Sequence, residues 1–284
     1  MGRVQFDRTM AAGARGIQVG ARSCRRVRIA AVLLVLGGLA AGCQPVPPPP
    51  PPSVAVFGDS LTVESQVELE AAIRAVRGLT TVVHAYPTTS PCDYFSRMRD
   101  LAASKPPVVV VAFAGNSWTS CARAADGSVR TGFSYLEWYR TQMRTVASIF
   151  PTSRIVLISP PGMAPMQGNV GLSSWSSVEL DRIYRQVAAE HPTRMTVVDG
   201  GRYLDDPGRT WARTQPCLPH EQCVGNTQDP TVPVGRNIVR SPDMVHLCSE
   251  RSWAACSVYS PGTGRYATVM ADEALRVSGL PKLA

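Results

Sequence analysis

The chain is short of several things, and each shortage closes a route. No internal repeat is visible along its 284 residues, which sets aside solenoids and propellers. Paired CxxC spacing is missing, which argues against zinc ribbons and fingers. The most apolar run, residues 29–41, falls short of the roughly 20 residues that a membrane-spanning helix needs. Histidine is scarce: any imidazole chemistry must come from His84, His191, His220 or His246. Excess positive charge is also missing from the body of the chain. Residues 1–42 hold seven of the 29 basic residues and one of the 21 acidic ones, leaving 22 and 20, a formal charge of +2. The overall +8 therefore belongs mostly to the leader and gives no reason to expect a nucleic-acid partner.

That leader has the layout of an export signal. Seven arginines, including Arg25-Arg26, precede the apolar run, which ends in Gly42-Cys43. The small residues before Cys43 resemble a bacterial lipobox, although Ala40 stands where leucine is commoner and Leu39 lies one place earlier. The expectation is a signal peptide over 1–42 and a lipidated Cys43 that anchors the protein on the outer side of the cytoplasmic membrane. The alternative is an ordinary signal peptide with an incidental cysteine. Residues 44–52 are dominated by proline and favour polyproline II, a stiff spacer of about 25–30 Å at roughly 3.1 Å per residue. Residues 43–53 then form anchor and linker. Residues 54–284 suffice for one well-buried α/β domain.

With Cys24 in the leader and Cys43 at the anchor, six cysteines remain. An even set in an exported protein reads as three disulfides. Local spacing pairs Cys217 with Cys223 and Cys248 with Cys256, which leaves Cys92 for Cys121. The competing reading is a zinc site around His220, inside the Cys217–Cys223 segment. It is disfavoured because thiols oxidise outside the cytoplasm.

Strand-like runs at 54–57, 80–86, 106–113, 153–159 and 195–199 alternate with helical patterns at 63–77, 134–150, 176–190 and 266–277. Ser134 and Glu137 fit a capping box. The alternation predicts an α/β fold, a doubly wound parallel sheet flanked by helices. Two long loops, 160–175 and 200–242, start at the carboxyl ends of strands, where a site belongs.

The first strand delivers Gly58-Asp59-Ser60 to a strand-to-helix turn. A serine hydroxyl needs a base to take its proton, and that base needs a carboxylate to hold its tautomer. His84 lies in a strand pattern and His191 precedes Pro192 at a helix end, so packing and capping account for them. His220 is the reserve candidate. His246 has Asp243 three residues before it, within reach on one turn. Asn116, in Phe113-Ala-Gly-Asn after the strongest strand, offers a side-chain amide to an oxyanion, or alternatively serves as a turn former.

Gly-Asp-Ser, Gly-Asn and Asp-x-x-His in this order resemble the SGNH, or GDSL-type, hydrolase family over residues 54–284. The resemblance implies a flavodoxin-like three-layer sandwich and an acyl-enzyme mechanism needing no metal or organic cofactor. In it Ser60 is the nucleophile, His246 the base and Asp243 its orienter. The backbone N–H of Ser60, the amide of Asn116 and a further backbone donor complete the oxyanion hole. Two departures stand out. The family's glycine after the second strand is matched here by Thr88, within Tyr86-Pro-Thr-Thr-Ser-Pro-Cys92, and the third block reads Gly-Asn directly. A Cys92–Cys121 bridge would tie these two loops together. Trp118, Met163, Met166 and Trp175 are candidates to line an acyl or sugar pocket, with ordinary packing the stronger explanation for each. The expectation is a monomeric, lipid-anchored esterase of the cell envelope acting on short-chain or O-acetyl esters of carbohydrate or lipid. An O-acyltransferase with the same triad is the first alternative, and a non-catalytic glycan- or lipid-binding lipoprotein the second.

Overall fold

Four successive valines, Val108 to Val111, are buried on both sides of the pleat, as only a central strand of a parallel sheet requires. In the computed structural model they form β3 (Val108–Ala112), between β1 (Val54–Gly58) and β4 (Arg154–Ser159). β2 (Thr81–Ala85) lies outside β1, and β5 (Met195–Asp199) outside β4. Every neighbouring pair is parallel, in the order β2-β1-β3-β4-β5. The structure describes residues 53–76, 78–164, 174–250 and 256–279; the leader, Cys43, the proline spacer, Met166 and the side chain of Trp175 lie outside them.

Alternation along β1 sorts the two faces of the sheet. Ala55 and Phe57 join a core built with α3 (Phe95–Ala102), α4 (Gly132–Ile149) and α5 (Ser174–Ala189). Val54 and Val56 point the other way, toward α1 (Ser60–Glu64), α2 (Gln66–Arg74) and α7 (Pro261–Val277). The result is the three-layer α/β sandwich that the sequence predicts. The strand order reverses between β1 and β3, so a crevice opens where the chain leaves their carboxyl ends.

Several local expectations need correction. The helix predicted from residue 63 starts at Ser60, because Asp59 caps it by accepting the N–H of Leu61 at 3.2 Å, and it breaks at Ser65 into α1 and α2. Ser134 is not an N-cap. α4 begins at Gly132, and the Ser134 hydroxyl donates back to the Thr131 carbonyl at 2.9 Å. The segment after β2, which no sequence pattern marks, forms a 3₁₀ turn (Pro91–Tyr94) running into α3. Reciprocal Ser90 and Asp93 hydrogen bonds cap that turn. α7 begins at Pro261, a residue whose fixed φ suits a first helical position, rather than at 266. Within the long 200–242 loop, β6 (Thr214–Pro216) and β7 (Arg236–Ile238) pair antiparallel around α6 (Gly225–Gln228).

Gly58 is required by close approach. A Cβ there would lie 2.0 Å from Thr62 Oγ1 and 2.8 Å from the Ala112 carbonyl, to which the Thr62 hydroxyl already donates at 3.2 Å. Gly58→Ala should therefore cost about 1–3 kcal/mol through overpacking. Urea unfolding should show a lower midpoint with an unchanged slope.

Candidate active site

Three loops at the carboxyl ends of β1, β2 and β3 meet at the crevice, together with the loop before α7. Ser60 opens α1 directly after β1 and is half-buried. Its N–H belongs to the first turn of the helix, whose donors have no partner within the helix. Asp59, fully buried beside it, holds the neighbouring loop. Its Oδ2 accepts the N–H of Ala114 at 2.6 Å and the Asn116 amide at 3.0 Å. An asparagine amide has two N–H groups, and one is fixed by Asp59. Burial lifts the Asp59 carboxyl to about 6, against the pull of these donors.

The loop carrying Asn116 is held from behind by buried tyrosines. Tyr135 donates to the Gly115 carbonyl at 2.7 Å, Tyr139 to the Asn116 carbonyl at 2.8 Å, and Tyr184 to the Phe113 carbonyl at 3.3 Å. Ser90, from the β2 side, donates to the Asn116 carbonyl at 2.7 Å. Four hydroxyls thus stop the loop's carbonyls from competing for its own amides.

Thr88 takes a left-handed backbone conformation, φ 67°, the region where glycine is at ease and a β-branched residue is strained. Thr89 steadies the turn, its hydroxyl donating to the Tyr86 carbonyl at 2.7 Å and contacting the Tyr94 hydroxyl at 3.2 Å. The backbone therefore follows the glycine-like path despite the substitution. The expected disulfides Cys92–Cys121, Cys217–Cys223 and Cys248–Cys256 are all formed, and the first joins the β2 and β3 loops with Cα atoms 6.1 Å apart. Asp93 lies close enough to Cys92 and Cys121 to suggest an ion site, but both sulfurs are spent in the disulfide.

Asp243 and His246 come together as their spacing predicts. Nδ1 of His246 lies 2.7 Å from Asp243 Oδ2, while Asp243 Oδ1 accepts the N–H groups of Val245 and His246, both at 3.0 Å. Met244 bridges the turn at φ 67°. Burial alone would lower the imidazole pKa. The Asp243 hydrogen bond and the charges of Glu64, Asp243 and Asp59 outweigh it and raise it above 6.5. Asp243 is likewise pushed up by burial, but the donors around it hold it well below the usual carboxylate range.

The other histidines stand apart from this arrangement. His84 packs on Phe57 at 5.2 Å, across the sheet from α1, and His191 lies beside Arg194. His220 lines a cavity of about 560 Å³ against α7, and the adjacent Glu221 is bound to Arg265 at 2.6 Å. Of the pocket candidates, Met163 is core and Trp118 is 46% exposed.

Sequence reasoning missed the supports. Arg240, fully buried, donates to the Val245 carbonyl at 3.2 Å, to the Gly162 carbonyl at 2.8 Å and to Asp205 at 2.9 Å, tying the His246 loop to those after β4 and β5. Glu64 accepts the Leu247 N–H at 2.7 Å from the opposite side. No motif marks Arg240. The only signal for Glu64 is its place one helical turn after Ser60.

These features define an α/β domain with a serine opening α1 at the topological switch point and a carboxylate–imidazole pair whose loop is tied to that helix through Glu64. No family model matches the chain, and no curated protein does. Among solved structures it is similar to the C-terminal catalytic domain of a peptidoglycan O-acetyltransferase from Streptococcus pneumoniae (TM-score 0.48, 15% identity, 80% of this chain and 94% of that one). It is also similar to an acetylxylan esterase from Geobacillus stearothermophilus (TM-score 0.47, 16% identity, 81% and 95%). A third is a GDSL-like lipase from Bacteroides thetaiotaomicron (TM-score 0.47, 10% identity, 78% and 87%). With every TM-score below 0.5, these likenesses carry no argument about activity, which rests on the site itself.

The two shifts set opposite pH limits. The raised His246 pKa adds stability that is full below 6.5 and fades as pH rises through the folded value. The depressed Asp243 pKa adds stability that is present above 3.8 and lost on acidification. Both ions exist between those limits, so Asp243→Asn should destabilise more at pH 5.5 than at pH 9. Urea melts at the two pH values read this directly.

Proposed function

We propose that the domain is an SGNH-type serine esterase of the cell envelope. The observation that carries the proposal is the 2.7 Å Asp243–His246 bond, held against the helix that starts at Ser60 by the Glu64–Leu247 contact. In this reading Ser60 Oγ attacks the ester carbonyl while His246 takes its proton, and Asp243 stabilises the imidazolium. The tetrahedral oxyanion is met by the Ser60 N–H, the second N–H of Asn116 and the Thr88 N–H. Collapse expels the alcohol, which receives the proton from His246. Water, deprotonated by the same imidazole, then releases the acid and restores Ser60.

The disulfides suit an oxidising compartment. Among the described residues no helix is long and apolar enough to cross a membrane. The lipobox-like sequence supports attachment through Cys43, with the proline segment as spacer. Short acyl esters of envelope carbohydrate or lipid fit that location. The domain works as a monomer without a cofactor in this reading.

A fluorophosphonate probe should label the folded protein at Ser60. Ser60→Ala and His246→Ala should abolish labelling, and a folded, unlabelled wild type would return the chain to the binding-lipoprotein reading. Asn116→Ala should lower kcat about 10²–10³-fold. Supplying an acyl donor with and without glycan separates hydrolysis from transfer: free acid is expected, and acylated glycan in excess would make the protein an O-acyltransferase. Cys43→Ser should move the protein out of the membrane fraction.

A further inference from the structure

Glu64 is a buried acid that the acyl chemistry above leaves unused. It sits one turn after Ser60 on α1 and is 3% exposed. Its Oε2 accepts the N–H of Leu247, the residue after His246, at 2.7 Å, and the Cys248 N–H approaches the same carboxylate. Its Oε1 is buried with no hydrogen-bond partner among the described residues. Burying a carboxylate with one oxygen unbonded is costly, and a glutamine would offer the Leu247 N–H an acceptor without the charge. The cost points to a use for the charge.

The ionisable groups around Glu64 indicate what that use is. His246 attracts it, Asp243 repels it, and buried Arg240 feels its charge. Asp59, before its own helix, acts on the same imidazole. On the neighbouring helices, Glu68 takes the Thr263 hydroxyl at 3.3 Å, and Tyr266 interacts with Asp59 and Arg240. His84 of β2 is on the other face of the sheet, against Phe57. His246 is therefore the cation nearest in function to Glu64. Burial lifts Glu64 to about 7, against the pull of His246, so it gains its charge over the range in which an imidazole loses its proton.

Building on the serine-hydrolase reading, we infer that Glu64 is a positioning residue. Its carboxylate clamps the His246 loop to the nucleophile helix, and its charge favours the imidazolium that His246 becomes as Ser60 attacks. Two charged groups from different elements thus support the base: Asp243 holds the ring, and Glu64 holds the backbone behind it.

Two variants divide the roles. Glu64→Gln keeps an oxygen for the Leu247 N–H and removes the charge, whereas Glu64→Ala removes both. An NMR titration of the His246 ring in the full chain needs no activity. Carried out on Ser60→Ala with and without Glu64→Gln, it should show His246 titrating at lower pH when the charge is gone. With ester substrate, Glu64→Gln should move the acid limb of kcat/KM to lower pH. Glu64→Ala should lower kcat about 10–100-fold through misplacement of the base, with KM nearly unchanged, and Glu64→Gln should recover most of that loss. If Glu64→Ala fails to fold, the Glu64→Gln titration decides alone. An unmoved titration and acid limb, with the wild type still labelled by the fluorophosphonate, overturns the role of Glu64 and leaves the hydrolase reading intact. Loss of labelling in the folded wild type takes down that reading instead, and the positioning role of Glu64 with it.

Discussion

The site hangs on one buried carboxylate. Asp59 accepts from Leu61 on its own helix and from Ala114 and Asn116 on the loop after β3, all without exposure to water. A buried acid with three donors is bound to one geometry, because rotating away would leave charge and donors unpaired together. The start of α1, where Ser60 sits, and the amide of Asn116 are thereby fixed relative to each other before any ligand arrives. The buried tyrosines of α4 and α5 add to this by occupying the loop's carbonyls.

The base reaches the same place by a longer route. His246 comes from a segment about 186 residues after Ser60, and nothing in the sheet's ladder holds it there. Its position depends on buried polar links to three elements. Glu64 takes the backbone of Leu247 from the nucleophile helix. Arg240 grips the Val245 carbonyl while spanning Gly162 and Asp205. Gly162 after β4 and Asp205 after β5 thus act as abutments for the loop that carries the imidazole.

Much of this was legible in the residues. The apolar runs placed all five strands within a few residues, since a parallel sheet buried on both faces needs continuous hydrophobicity. Asp-x-x-His spacing foresaw the 2.7 Å contact because it is short-range, closed by one turn. Cysteine spacing resolved the bridges for the same reason in two of three cases, and the third followed by remainder. What escaped were start points set by caps: the Asp59 side chain begins α1 at Ser60, and the fixed φ of Pro261 begins α7 early. Ser134 misled because a hydroxyl in the first turn can bond backward as readily as it can cap.

Thr88 shows where sequence reasoning meets its limit. Read alone, a threonine in a glycine's place argues for a changed backbone, yet the turn keeps φ at 67°, held by Thr89 and tied to the β3 loop through Cys92–Cys121. Contiguous pattern or short spacing was enough for the sheet, the serine turn, the acid–imidazole pair and two of the three disulfides. Folding in three dimensions was needed to reveal that Asp59 holds Asn116, that Glu64 and Arg240 hold the His246 loop, and that Thr88 takes a left-handed backbone. Those are contacts between residues far apart in the chain, and their partners are chosen by burial, which no local pattern records.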